Sequence, residues 1–214
     1  MLRRRCRPLF LNLNIMSSSI ARTETFAGAI FRPLDIGRSI GLVIAFSLLT
    51  ALAAQITIPL PFTPVPITGQ TFAVLLTGAL LGSRLGAITM LAYLVEGASG
   101  LPFFQGGHGG PTYLLLTPSA GYLLSYPVAA FVAGWLAERG WDRRFLTAAA
   151  AMALGSLVIL ATGWSWLAVV THNAQYAFFA GVTPFILGDV IKIALAAALL
   201  PSGWKILRLK NRDK

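Results

Sequence analysis

Twenty consecutive residues, Ser39 to Ile58, carry no charged side chain and stop at a cluster of prolines, Pro59, Pro61, Pro64 and Pro66. Few environments accept such a run. At 1.5 Å of rise per residue it spans about 30 Å as a helix, the thickness of a bilayer's hydrocarbon core, whereas a helix on a soluble domain keeps one polar face. The run is not isolated: 56% of the 214 residues are hydrophobic and 11% are charged, against about 25% charged in an average soluble domain. The chain therefore reads as an all-α integral membrane protein with room for at most about eight spans and no separate soluble domain. One membrane domain over residues 39–204 is expected, between a basic leader over 1–38 and a basic tail over 205–214.

The apolar runs and their breaks predict a bundle of six transmembrane helices. After Ser39 to Ile58, the second span is Gln70 to Leu81, closed by Gly82, Ser83 and Arg84, and the third runs from Leu85 to about Ala98. Both are short, and Gly69, Gly78, Gly82 and Gly86 predict close helix contact. The uncharged stretch Gly100 to Ser119 leads to the fourth span, Ala120 to Ala137, which ends at Glu138-Arg139-Gly140-Trp141-Asp142-Arg143-Arg144. Phe145 to Val170 is the fifth. An uncharged link with His172, Asn173, Gln175 and Pro184 precedes the sixth, Phe185 to Leu200.

A net charge of +10 would suit a nucleic-acid partner, but the placement of the charge argues otherwise. Of 17 Lys and Arg residues, one, Lys192, lies within a span, and the other 16 fall in the leader, the link between spans two and three, the link between four and five, and the tail. With six spans these segments share one side, which the positive-inside rule makes cytoplasmic. No nucleic acid is called for; the surrounding partner is membrane lipid. The three opposite loops, Pro59 to Thr68, Gly100 to Pro118 and Thr171 to Pro184, lack Asp, Glu, Lys and Arg and are rich in Pro, Gly and aromatic residues. They read as covers over a binding site, with Gly106 to Gly110 as a flexible lid hinge. The leader lacks the clean apolar core of a signal peptide; Met16 offers a second start, and Leu9 to Ile15 could lie along the membrane surface.

Little in the chain can carry covalent chemistry. The lone Cys6 excludes a disulfide within the chain and a cysteine metal cluster. No G-x-x-x-x-G-K-[ST] loop is present to bind ATP, and Ser17 to Ser19 and Ser83 lack the paired histidine and acid of a serine nucleophile. His108 and His172 stand in different outer loops without further ligands at metal spacing, and read as solvated loop residues. Only Glu96, Asp189 and Lys192 place an Asp, Glu, Lys or Arg charge inside the spans, where each costs roughly 2.5–3.5 kcal/mol at mid-bilayer. Glu96, near the outer end of the short third span, reads as an interfacial residue. Asp189 and Lys192 are three apart, share a helix face near the outer end of span six, and together could accept and donate hydrogen bonds to a small polar ligand. The alternative is a structural ion pair, although such a pair adds little net stability. Phe62, Phe103, Phe104, Tyr113, Tyr122 and Tyr126 gather at the outer loops, either as an interfacial belt or, with Gln70 and Gln105, as the walls of a mostly apolar pocket.

The stretch Ile58-Pro-Leu-Pro-Phe-Thr-Pro-Val-Pro-Ile-Thr-Gly-Gln70, followed by Gly78-Ala-Leu-Leu-Gly-Ser-Arg-Leu-Gly86, resembles the BioY family, the biotin-binding S components of energy-coupling factor transporters. The likeness continues through Tyr93-Leu-Val-Glu-Gly-Ala-Ser-Gly-Leu-Pro-Phe-Phe104, Gly109-Gly110, Thr117-Pro-Ser-Ala-Gly-Tyr-Leu-Leu124 and Pro184-Phe-Ile-Leu-Gly-Asp-Val-Ile-Lys192, and covers about residues 38–205. It implies a six-helix bundle in a bacterial cytoplasmic membrane, not an enzyme and without a cofactor, that binds biotin as a transported ligand beneath the loop joining spans one and two. It also implies a transmembrane coupling protein and two ATPase subunits as partners. Asp189 and Lys192 match the ligand-contacting aspartate and lysine of the family's last span; an S component for another vitamin or a biotin precursor is the alternative. Thr68, Gln70, Tyr93, Phe104, Gln105 and Tyr122 are expected at the pocket from their loop positions. For the small-xxx-small patch on which S components dock their coupling protein, the nearest pairs are Ser47 with Ala51 and Thr50 with Ala54. The leader and Glu96 have no clear family counterpart.

Overall fold

The computed structural model describes residues 24–31 and 35–212, so Cys6, Met16 and the Leu9 to Ile15 stretch lie outside the described residues. The described helices are α1 (Phe26–Ile30), α2 (Ile36–Gln55), α3 (Gln70–Leu81), α4 (Ser83–Ala98), α5 (Pro111–Leu116), α6 (Ala120–Ala137), α7 (Phe145–Thr171), α8 (Ala174–Gly181) and α9 (Thr183–Arg212). A helix stands at each of the six expected places. Four helical stretches are long and apolar enough to cross a membrane: Ile36–Gln55, Ala120–Ala137, Phe145–Thr171 and Ala174–Leu209. α3, with 12 residues, and α4, with 16, are shorter. The protein is thus an all-α membrane fold, with four stretches among the described residues long and apolar enough to span and a short helical hairpin.

Local chemistry sets the boundaries. The Asp35 carboxylate accepts from the backbone N–H of Arg38 at 2.9 Å and starts α2. Asn173 does the same for α8 through the N–H of Tyr176 at 2.9 Å, and His172, at φ 52°, ends α7 in a left-handed turn. Between α3 and α4 only Gly82 intervenes, at φ 88°. The following helix is capped from a distance: Glu138 Oε1 accepts both the backbone N–H and the hydroxyl of Ser83 at 2.8 Å. One residue of the polar segment that ends the fourth span is therefore a buried helix cap.

The expected glycine contacts are present. A Cβ on Gly86 would stand 2.8 Å from the Cα of Gly78, one on Gly78 would strike the backbone of Ala130, and one on Gly134 that of Gly82 and Ser83. α3, α4 and α6 thus meet backbone to backbone, as small residues allow between membrane helices. The outward faces are apolar, with Ile40, Ile44 and Leu52 exposed on α2, Leu146 and Leu157 on α7, and Leu187 and Leu195 on α9. Together they form a surface that lipid, not water, would cover.

The outer loops carry structure of their own: β1 (Thr57–Ile58) pairs antiparallel with β2 (Ile67–Thr68), and α5 and α8 fold within the other two. Two expectations are revised. The glycine run is no free hinge. Phe104 N–H donates to His108 O at 2.9 Å, Gly110 N–H to Gly97 O at 2.8 Å, and the Gln55 side chain to the carbonyls of Pro102 and Phe104 at 3.3 Å each. Positive φ at Gly106, Gly107 and Gly110 makes that bonded corner accessible. Finally, Ser47, Thr50, Ala51 and Ala54 face inward and are buried, so the small pairs on α2 pack within the bundle and present no outer docking face.

Candidate ligand-binding site

α3, α6, α7 and α9 converge beneath the β1–β2 loop on a cavity. Its walls are Val65, Pro66, Thr68, Gln70, Thr71, Gln105, Ser119, Tyr122, Leu123, Tyr126, Ile159, Leu160, Phe185, Asp189 and Lys192. Helical spacing explains the convergence: Ser119, Tyr122, Leu123 and Tyr126 share one face of α6 and its cap, as Phe185, Asp189 and Lys192 share one face of α9. The space they enclose is about 20 Å³, room for about one water molecule. A vitamin-sized ligand therefore needs these walls to part.

The charged pair sits in this wall. Lys192 Nζ lies 3.7 Å from Asp189 Oδ1 and donates to Thr71 Oγ1 at 2.7 Å, while the Ser156 hydroxyl donates to Asp189 Oδ2. The pair is thus held from α3 and α7 as well as from its own helix. Each group keeps capacity in reserve: the ammonium has donors beyond Thr71, and the carboxylate has further lone pairs. Above it, Gln70 Oε1 accepts from Thr68 Oγ1 at 3.2 Å and from the Tyr126 hydroxyl at 3.3 Å, and Gln70 Nε2 donates to the Tyr93 hydroxyl at 2.6 Å. Gln105 donates to Ser119 Oγ at 3.2 Å, and Tyr122 donates to Gly181 O at 2.6 Å. The arrangement is an apolar slot with a few fixed polar groups, suited to a ligand that is part ring, part chain and polar at one end.

Thr68, Gln70, Gln105, Tyr122, Asp189 and Lys192 all line the cavity. Tyr93 and Phe104 do not. Tyr93 stands behind Gln70 and its hydroxyl donates a hydrogen bond to Phe103 O at 2.8 Å, and Phe104, fully buried, packs edge-on against Tyr93 with ring centroids 5.8 Å apart. Sequence reasoning missed Thr71, Ser119, Leu123, Ile159, Leu160 and Phe185 of the walls, and Ser156 as the partner of Asp189. Thr71 was legible as the neighbour of Gln70 on a helix start; Ser156 showed only as a hydroxyl beside Gly155 inside a long apolar run. Val65 and Pro66 of the proline-rich loop reach down as the cavity's roof. His108 stacks on Tyr113 at 4.8 Å in the glycine corner. Among the described residues no three His, Cys, Asp or Glu side chains gather as metal ligands.

Comparison with known proteins places the chain in a family. Residues 23–209 match the sequence model of the BioY family. A Pyrococcus horikoshii protein described as a probable biotin transporter BioY is 41% identical over 163 residues, covering 76% of this chain and 93% of its own length. The biotin transporter BioY of Rhizobium etli is 39% identical over 160 residues, covering 72% of this chain and 85% of its own. That of Thermotoga maritima is 36% identical over 168 residues, covering 78% and 93%. The fold also matches the crystal structure of the S-component for biotin from an ECF-type ABC transporter, with a TM-score of 0.72 at 25% identity, over 79% of this chain and 92% of that one. With the match running from before α1 to the last turns of α9, the chain belongs to the BioY family, a family of transporters and not of enzymes.

Proposed function

We propose that this chain captures biotin in the cavity between α3, α6, α7 and α9 and delivers it across the membrane with a partner ATPase module, a coupling membrane protein and two ATPase subunits. The observation that carries the reading is the Asp189–Lys192 pair, braced by Ser156 and Thr71 in the wall of that cavity. A ureido ring offers two N–H donors and one carbonyl acceptor; the carboxylate takes the donors and the ammonium supplies the acceptor's partner. Tyr122, Tyr126 and Phe185 wall the thioether ring and the valeryl chain. Thr68, Gln70 and Gln105 orient the ligand from the roof, and Tyr93 with Phe104 holds Gln70 in place from behind. Admission requires the Val65–Pro66 loop to lift away from the narrow slot.

In this reading α3 and α4 complete a set of six crossings. A 12-residue helix rises only about 18 Å, less than the hydrocarbon core, and its backbone contact with α6 supports a short crossing shielded by longer neighbours. Both termini then lie with the basic links on the cytoplasmic side. The test is calorimetric titration of the detergent-purified chain with biotin, desthiobiotin, thiamine and riboflavin. One saturable site that prefers biotin is expected. Tighter binding of another vitamin would reassign the substrate, and no binding of any would overturn the reading.

A further inference from the structure

About 20 Å along α9 from Lys192, the helix and the turn Trp141–Arg143 enclose an open groove of about 410 Å³. It is lined by Arg143, Pro201, Trp204, Lys205, Arg208 and Leu209. On α9 the spacing of these residues puts them on one face. Trp204 is fixed in the groove's floor: its indole N–H donates to Asp142, and Phe26 of α1 meets it edge-on with centroids 5.4 Å apart. The Arg143 guanidinium lies 4.8 Å from the centre of the Trp204 ring, and its Nε is buried without a hydrogen-bond partner. A buried donor in that state costs free energy that an entering anionic oxygen would recover. Among the described residues three cations and no acid line this groove, and Asp142 is engaged by the Trp204 indole.

The other half of the lining is apolar, and it continues into the exposed side chains Leu209 and Ile206, 53% and 67% accessible, and up the outward face of α9 through Leu199 and Leu195. A free inorganic anion gains nothing from such a wall. An amphiphile with an anionic head and acyl chains matches both halves, and basic recesses beside membrane helices are where anionic head groups bind. We propose that this groove holds the phosphate of one anionic phospholipid, its chains lying along Pro201 and Leu209, and that it thereby ties α1, the Trp141–Arg143 turn and the end of α9 to one leaflet.

The test is native mass spectrometry of the full chain in detergent with short-chain phosphatidylglycerol. Phosphatidylcholine of the same chain length and inorganic phosphate serve as competitors. One retained phosphatidylglycerol per chain is expected, preferred about tenfold over phosphatidylcholine. The double variant Lys205→Gln/Arg208→Gln should weaken it about twenty-fivefold, at about fivefold per interfacial cation. Arg84→Gln, at the exposed start of α4, should leave it unchanged. Should the double variant melt below the wild type, Arg143→Gln replaces it, with about fivefold weakening expected. Equal retention of phosphatidylcholine, undiminished retention by both the double and the Arg143 variants, or displacement by equimolar inorganic phosphate would each overturn the proposal.

Discussion

Both ends of this bundle bury an aspartate beside a cation, and the two differ in what the rest of each carboxylate sees. Asp189 is 7% exposed, held by Ser156 and Lys192, and its remaining hydrogen-bonding capacity opens into a cavity. Asp142 is 2% exposed, and Trp204 closes over it; the guanidinium of Arg143 stacks on the indole instead of gripping the acid, and Asp142 Oδ1 is left buried and unpartnered. Burial raises the Asp142 carboxyl above its ordinary value, and the Trp204 hydrogen bond and the Arg143 charge oppose this only in part. An acid buried beside a cation is therefore not in itself a ligand site. In the proposed reading, the distinguishing feature is unused hydrogen-bonding capacity directed at a cavity that admits a ligand when its walls part.

Substitutions at the two ends sharpen that contrast. Lys192→Ala should weaken biotin binding about a hundredfold, near 3 kcal/mol, because it strips the donor and leaves Asp189 without its counter-charge; titration of the purified variant checks it. Glu138→Ala removes the cap on α4 and should lower unfolding stability by about 1–2 kcal/mol while leaving biotin affinity as it was, seen by melting with and without ligand. Tyr126→Phe removes one hydrogen bond to Gln70 and should weaken biotin by about fivefold, near 1 kcal/mol. Asp142→Asn should change stability at neutral pH by less than about 1 kcal/mol and affinity not at all. The sign of its pH dependence follows from the raised folded-state value. The folded chain holds the Asp142 proton more tightly than the unfolded one, so this group's contribution is full below the ordinary carboxylate range and fades as pH rises through the raised value. Asp142→Asn should flatten that slope in melts taken from mildly acidic to neutral pH.

The helical class and the polar pair were legible because each rests on a local signal. An uncharged run as long as Ser39 to Ile58 has one sensible environment, and a charge at Asp189 in an apolar span is conspicuous against its neighbours. Gln70 and Tyr122 could be named from their places at the mouths of loops. What stayed hidden was set by tertiary packing. Ser156 became a partner of Asp189 through the register of α7 against α9, and Glu138 became the cap of α4 through the descent of α6 past Gly82. Neither register is written in the local periodicity of spans that are apolar all round. The small residues of α2 misled for the same reason: Ser47, Thr50, Ala51 and Ala54 satisfy an outward docking stripe and an inward packing face equally well in sequence, and burial decides for the latter. The glycine run at Gly106 to Gly110 read as freedom, whereas its positive φ angles serve a bonded corner.

The most direct measurement is the equilibrium dissociation constant of biotin for Asp189→Asn beside the wild type, with melting curves for both. The substitution keeps the size and the hydrogen bond from Ser156 but discharges the acceptor. A loss of affinity of roughly a hundredfold with an unchanged melting temperature is the predicted result. Wild-type affinity in the variant would contradict the account and reduce Asp189 to the role that Asp142 has at the other end, a buried acid held only by its neighbours.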